Sequence, residues 1–196
     1  MIKTEIVTNA ALRLGVAAAD VANYLDHSEH VETCTPGVVR QAGEELRVVG
    51  IELSWAADAD AFDLYASRLS MIESRNVLSH ETSFDGSMQA RRAETWRDLQ
   101  LVQIEHDRFY HPDVIGLAKW QQLNHYLLHM VKLIGATAAV AREDGPSDEW
   151  LQRRVPDILL FGIKLATVSG ERLPDMPLPR KVASDASTRN ARAVSS

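Results

Sequence analysis

Apolar residues recur at every third or fourth position through most of this chain, and alternation with a period of two is almost absent. This spacing places the apolar side chains on one face of a helix and predicts an all-α fold. The clearest stripe runs from Leu117 to Ile134. The predicted helices span 4–25, 36–57, 61–78, 88–106, 113–141 and 148–168, the last with a kink at Pro156.

Polar stretches separate these helices and set the limits of the domain. Residues 26–37 form a loop by composition, and FDGS at 84–87 and REDGPS at 142–147 are turn signals. From Pro174 onward the chain has few bulky apolar residues and no helical stripe, which predicts a disordered tail over 174–196. The sequence therefore predicts one helical domain over 1–173, a bundle of about six helices.

Two pairs of helices resemble one another and indicate an internal repeat over 4–57 and 113–170. VVRQAGEELRVVGIEL (38–53) aligns without a gap with WLQRRVPDILLFGIKL (150–165), so that Gly50 corresponds to Gly162. LGVAAA (14–19) aligns more weakly with IGATAA (134–139). Two helical hairpins packed pseudo-symmetrically would form a four-helix core. Chance similarity between helices rich in Ala and Leu is the alternative explanation.

Composition limits the compartment and the partners. With 45% apolar and 24% charged residues among 196, the chain can bury a sizeable core. A net charge of −6 disfavours nucleic acid as a partner. The sequence shows neither an apolar run near the ~20 residues that span a bilayer nor the apolar core of a secretory signal. The single cysteine, Cys34, excludes an internal disulfide and a multi-cysteine zinc site, so we expect a cytoplasmic protein.

His125 and His129 are four residues apart and share one face of a predicted helix. This spacing can chelate a transition metal such as Zn, because imidazole nitrogen is one of its usual ligands. Further donors would have to come from His106, His111 or Glu105. The alternative is that both histidines are half-buried and hydrogen-bond to neighbouring helices.

A second pattern is the series His80, His106-Asp107 and Asp157, which resembles the order of metal ligands in the HD phosphohydrolases. In such sites histidine and aspartate on converging helices bind a divalent ion that activates water for phosphoester cleavage. The resemblance implies a metal-dependent phosphohydrolase as one function of this chain.

The paired hairpins also resemble the all-α nucleoside triphosphate pyrophosphohydrolases of the MazG-like group. Residues 111–173 are similar to the helix–loop–helix core of that family, and 43–75 to its second helix and the helix after it. In the family, E-x-x-E on the first helix and E-x-x-D on the second hold Mg²⁺ on the triphosphate, since a hard cation prefers oxygen ligands. The resemblance implies a nucleotide as substrate and a divalent metal as cofactor.

Most of the family's carboxylates are replaced in this chain. The corresponding positions read N-x-x-L at 9–12 and A-x-x-E at 42–45 in the first half, and H-x-x-K at 129–132 and R-x-x-D at 154–157 in the second. One carboxylate per half remains, Glu45 and Asp157. Together with His125 and His129 they form the predicted metal-ligating set, for either Mg or Zn.

Two functions stay open on this basis. The first is a catalytically degenerate MazG-like protein that binds a partner or a small ligand, and the second is a metal-dependent nucleotide phosphohydrolase, MazG-like or HD-like. The sixth predicted helix, VPDILLFGIKLATV, is apolar on more than one face, which predicts either burial at the centre or a helix-mediated homodimer. Expected partners are thus a second copy, another protein or a nucleotide. Convergence of the four predicted ligands in one cleft would favour the enzyme, and separate salt bridges would favour the binding protein.

Overall fold

The computed structural model describes residues 2–27, 36–76, 84–142 and 146–181. Within these ranges the chain is helical and has no β-strand, which confirms the predicted all-α fold. The helices are α1 (Thr4–His27), α2 (Gly37–Ala56), α3 (Ala61–Asn76), α4 (Gly86–Arg92), α5 (Trp96–Tyr110), α6 (Pro112–Ile115), α7 (Lys119–Arg142) and α8 (Val155–Val168). A π-helical turn, Trp150–Arg154, leads into α8.

Eight α-helices occur in the described ranges rather than about six, because two predicted helices are each divided. The predicted helix over 88–106 breaks before Thr95, where Thr95 and Asp98 form a capping box that starts α5. The predicted helix over 113–141 divides after Gly116. There the side chain of Gln121 accepts a hydrogen bond from the backbone N–H of Ala118 and begins a new helix, α7.

Helices α1, α2, α7 and α8 pack on one another, with α2 against α8 and α1 against α7 as the most extensive pairs, and α3 and α5 add further residues to the hydrophobic core. The antiparallel α2 and α8 approach closely through glycines. A Cβ atom on Gly162 would lie 2.8 Å from the carbonyl oxygen of Gly43 and 2.9 Å from the backbone nitrogen of Arg47, and one on Gly50 would lie 3.1 Å from the nitrogen of Leu159. The offset of 112 residues between Gly50 and Gly162 also separates Arg47 from Leu159. The two contacts therefore join positions that correspond in the alignment of 38–53 with 150–165.

Helix α8 lies at the centre of the fold, because α2, α3, α5 and α7 all pack against it. Thirteen of its 14 residues are buried, so of the two alternatives for this helix the structure shows central burial. The π-helical turn ends at Arg154, two residues before Pro156, which has no N–H to continue the hydrogen bonding of an α-helix. Two charged side chains, Asp157 and Lys164, are carried into the interior by this helix and need partners there.

Residues 174–181 correct the prediction of a disordered tail from Pro174. Trp96 N–H donates to the carbonyl of Met176, and Leu178 N–H donates to the carbonyl of Glu94. The Leu178 side chain is buried against the core cluster. Backbone hydrogen bonds and one buried leucine thus fix a segment that has no helical stripe. The rest of the predicted tail, 182–196, lies outside the described residues.

Candidate ligand-binding site

A cavity of about 270 Å³ opens between α3, α5, α6, α7 and α8. Four histidines line it, His106, His111, His125 and His129, together with two carboxylates, three cationic side chains and one glutamine. Ile72, Val114, Leu160 and Phe161 supply its apolar wall. We refer to this space as the histidine cavity.

The histidines reach the cavity in two pairs. On α7, His125 and His129 stand one turn apart with ring centroids separated by 4.7 Å, and His129 stacks on Phe161 of α8 at 4.7 Å and 24°. His106 of α5 and His111, just after α5, have ring centroids 6.3 Å apart. The helical spacing of His125 and His129 therefore directs both rings to one cavity, as the sequence predicts.

Asp157 forms a two-point ion pair with Arg68 of α3. Arg68 Nε donates to Asp157 Oδ1 at 2.6 Å, and Arg68 Nη2 donates to Oδ2 at 3.2 Å. Both side chains are largely buried. Burial raises the pKa of Asp157, while the hydrogen bonds and charge of Arg68 act to lower it. The carboxylate therefore has a built-in cationic partner that occupies both of its oxygens.

Asp107 of α5 pairs with Lys164 of α8 through a single carboxylate oxygen. Lys164 Nζ lies 2.8 Å from Asp107 Oδ1, and the same oxygen accepts a hydrogen bond from Gln103 Nε2 at 2.9 Å. The ammonium also lies 5.5 Å from the ring centroid of Phe161, within range of a cation–π interaction. Both carboxylates of the cavity are thus neutralised by buried cations.

The four histidines are shifted toward the neutral form. Burial, followed by the charge of Lys164, lowers the pKa of His106 to about 3. Burial, followed by the charge of His125, lowers the pKa of His129 to about 4. Burial also lowers the pKa values of His111 and His125, with Lys164 as the next cause for both. At neutral pH each ring therefore offers one N–H donor and one acceptor nitrogen to the cavity.

His106 has no hydrogen-bond partner for either ring nitrogen among the residues the structure describes. Its side chain is only 1% exposed, and Glu73 Oε1 lies 3.8 Å from Nε2, too far for a hydrogen bond. The Nη1 atom of Arg68 is likewise buried and without a partner in the described ranges. Buried polar groups are rarely left unpaired. These two side chains therefore leave hydrogen-bonding groups unused in the lining of the cavity.

The predicted metal-ligating set is divided between two regions of the molecule. His125, His129 and Asp157 line the histidine cavity, but Glu45 does not. Glu45 accepts a hydrogen bond from Arg13, which also donates to Glu52, beside a shallow groove between α1 and α2. The convergence of all four residues that would favour the enzyme is therefore not observed, because α2 turns Glu45 toward α1 and away from the cavity.

The donor set does not fit the Mg²⁺ that the MazG-like resemblance implies. That ion prefers several oxygen ligands, and Asp157, the family-position carboxylate in this cavity, is already held by Arg68. In the part of the chain that the structure describes, no three side chains among His, Cys, Asp and Glu are grouped as metal ligands.

The remaining sequence candidates are distributed as follows. Three members of the HD-like series, His106, Asp107 and Asp157, line the histidine cavity, and the fourth, His80, lies outside the described residues. Glu105 is on the exposed side of α5 and pairs with Arg108. Cys34 also lies outside the described residues.

Sequence reasoning missed the two cations that organise the cavity. Lys164 carried a usable signal, because a lysine within the apolar run of α8 requires a buried partner. Arg68 carried none, since a single arginine on an amphipathic helix is ordinarily a surface residue.

Comparisons with family models, with curated proteins and with solved structures found no match to this chain. The MazG-like and HD-like resemblances therefore stay predictions from the residues. None of the helices in the described ranges combines the length and the apolar character needed to cross a bilayer.

Proposed function

We propose that this protein binds a small molecule in the histidine cavity and is a catalytically degenerate relative of the MazG-like proteins. The observation that carries the proposal is His106, a fully buried imidazole that lines the cavity with both nitrogens unpartnered in the described residues. A ligand that hydrogen-bonds to this ring would remove the energetic penalty of leaving it unsatisfied, about 1–3 kcal/mol per buried group.

The four-helix core supports the family resemblance, and the state of the carboxylates supports the loss of catalysis. Glu45 and Asp157 stand at equivalent positions of the two repeats, and each pairs with an arginine, Arg13 or Arg68. A divalent ion would have to displace an arginine from each carboxylate before it could bind.

The alternative function is a metal-dependent phosphohydrolase, favoured by the meeting of His106, Asp107 and Asp157 in one cavity. The metal content of the purified protein and its melting temperature in Mg²⁺, Mn²⁺ and Zn²⁺ decide between the two. We expect no stoichiometric metal and no stabilisation, since an ion that binds only the folded state must raise the melting temperature. A bound metal that is lost in His129→Ala and Asp157→Ala, together with nucleotide hydrolysis, would establish the alternative.

The proposed function is tested by NMR of the protein with ¹³C-labelled histidine rings, titrated with a library of fragment-sized molecules. We expect at least one fragment to shift several of the four cavity resonances together and to saturate. Val114→Phe fills part of the apolar wall and should abolish the response. The matched control is Val131→Phe, which adds the same ring at an exposed position of α7 outside the cavity and should leave the response intact.

Two results would count against the proposal. The first is a complete absence of shifts at the cavity histidines with every fragment. The second is a response that Val114→Phe and Val131→Phe retain equally. Circular dichroism melts of both variants show whether each is folded under the conditions of the titration.

A further inference from the structure

We propose that the ligand of the histidine cavity is a small organic monoanion, a carboxylate attached to an apolar body, and not a nucleotide or a phosphate ester. The inference rests on the proposed function, because it names the chemical class of the molecule that the cavity binds. It follows from three properties of the cavity: the hydrogen bonds it leaves unused, its net charge, and its size and apolar wall.

Most of the hydrogen-bonding groups in the cavity lining that lack a partner in the described residues are donors. Both carboxylates, Asp107 and Asp157, are engaged by Lys164 and Arg68. The buried Arg68 Nη1 has N–H groups without an acceptor in the described residues, and a neutral His106 adds one more N–H. A ligand that presents acceptor oxygens would satisfy these groups, and charge-assisted bonds to arginine are among the stronger hydrogen bonds in proteins.

The charge of the cavity matches one negative charge. Its lining holds three cations, Arg68, Arg75 and Lys164, and two carboxylates, which gives a formal charge of +1 with neutral histidines. A carboxylate balances this charge. A phosphate monoester carries about −1.5 to −2 at neutral pH, and would leave uncompensated negative charge in a partly buried site.

Size and shape limit the rest of the molecule. A volume of about 270 Å³ is slightly below the range of roughly 300–1,000 Å³ that is usual for ligand pockets. The wall formed by Val114, Leu160 and Phe161 suits an apolar body of ring size. A nucleoside triphosphate exceeds both the space and the charge that the cavity offers.

The test compares benzoate with benzamide, a neutral molecule of nearly the same shape, and with phenyl phosphate, using the same histidine resonances. We expect benzoate to bind at least tenfold more tightly than either of the others. Arg75→Gln removes a cation at the cavity and keeps both buried ion pairs, so it should weaken benzoate at least fivefold and leave benzamide unchanged. The matched control, Arg153→Gln, removes an exposed arginine that pairs with Glu149 outside the cavity and should change neither ligand.

The outcomes separate this inference from the proposed function. If benzamide or other neutral fragments bind as tightly as benzoate, the cavity is a binding site but the monoanion inference is wrong. If phenyl phosphate binds more tightly than benzoate, the ligand is a phosphate ester and the inference is wrong in the same way. If no fragment of any charge shifts the cavity histidines, the proposed function fails as well.

Discussion

Glu45 of α2 and Asp157 of α8 stand at equivalent positions of the two hairpins, and both are bound by an arginine. Their surroundings differ. The side chain of Glu45 is 36% exposed, and its partner Arg13 divides its hydrogen bonds between Glu45 and Glu52. The side chain of Asp157 is 10% exposed and holds Arg68 through both oxygens at the wall of the histidine cavity.

The difference arises from the helices between the two hairpins. α3 and α5 pack on α8, and α6 packs on α7, so the second hairpin is covered and the space left under the cover becomes the cavity. At the corresponding place the first hairpin has a groove between α1 and α2 that is no smaller but is more open to solvent. Two carboxylates at aligned positions of α2 and α8 can therefore differ in burial, because only the second is covered by α3 and α5.

The largest expected effect is the loss of one partner from the buried pair. Asp157→Ala leaves the guanidinium of Arg68 buried without a counter-charge, which should lower the free energy of unfolding by about 3–5 kcal/mol. Glu45→Ala breaks a partly exposed pair, and Arg13 keeps Glu52, so its effect should stay within about 1 kcal/mol. Urea denaturation of both variants measures the difference.

The double variant Arg68→Met with Asp157→Leu serves as the control for this comparison. It removes both charges together and should recover most of the stability lost in Asp157→Ala, since an apolar pair leaves no buried charge unpaired. Equal losses in Asp157→Ala and Glu45→Ala would show that the covering helices do not bury the second carboxylate.

The next effect concerns the dependence of stability on pH that arises from His106 in the histidine cavity. The pKa of His106 falls from 6.5 to about 3 on folding, so the unfolded state binds more protons between these values and acidification favours unfolding. This contribution is fully present above pH 6.5 and is lost as the pH falls, at about 1.4 kcal/mol per pH unit. His106→Phe should remove that slope. The raised pKa of Asp157 acts in the opposite direction, because its folded carboxyl takes up a proton before the unfolded one does.

Denaturation of the wild type and of His106→Phe between pH 4 and pH 8 measures this contribution. The two proteins should have the same pH dependence above pH 7, where His106 is neutral in the folded state and largely neutral in the unfolded state. An undiminished slope in His106→Phe below pH 6 would contradict burial of a neutral imidazole at this position.

The smallest expected effects concern glycines at aligned positions of the two hairpins. A Cβ on Gly50 or Gly162 meets backbone atoms of the opposite helix at 3.1 Å or less, so Gly50→Ala and Gly162→Ala should each destabilise the fold by about 1–3 kcal/mol. Gly15 and Gly135 have nothing within 4 Å, and alanine at these helical positions should stabilise by about 0.5–1 kcal/mol. Thermal denaturation of the four variants tests whether the effects fall into these two pairs.

The apolar periodicity was sufficient to predict the helices but not every break in them. The predicted 36–57 and the observed Gly37–Ala56 differ by one residue at each end. The stripe of Ala93, Trp96, Leu99 and Val102 includes Ala93, which lies in the break between α4 and α5, so periodicity alone conceals the break. The signal was local: T-x-x-D at 95–98 is a capping pattern that interrupts a helix despite a continuous stripe.

The candidate site was predictable only in part, for a similar reason. Helical spacing brings His125 and His129 to one place, and burial on an apolar helix brings Asp157 there. The exclusion of Glu45 depends on which hairpin α3 to α6 cover, and that choice is made by tertiary packing between segments distant in the sequence. Arg68 entered the cavity through the same packing.

The central position of α8 has a consequence for the order in which the molecule can fold. The helix that α2, α3, α5 and α7 pack against is the last helix of the described chain. During synthesis, which proceeds at about 5–20 residues per second, the earlier helices emerge before the surface they are built to cover. The contact between Gly43 and Gly162 joins residues more than a hundred positions apart, and such distant contacts slow folding. The core therefore assembles only after α8 has been synthesised, and until then the face of α2 that packs on α8 has no helix to cover it.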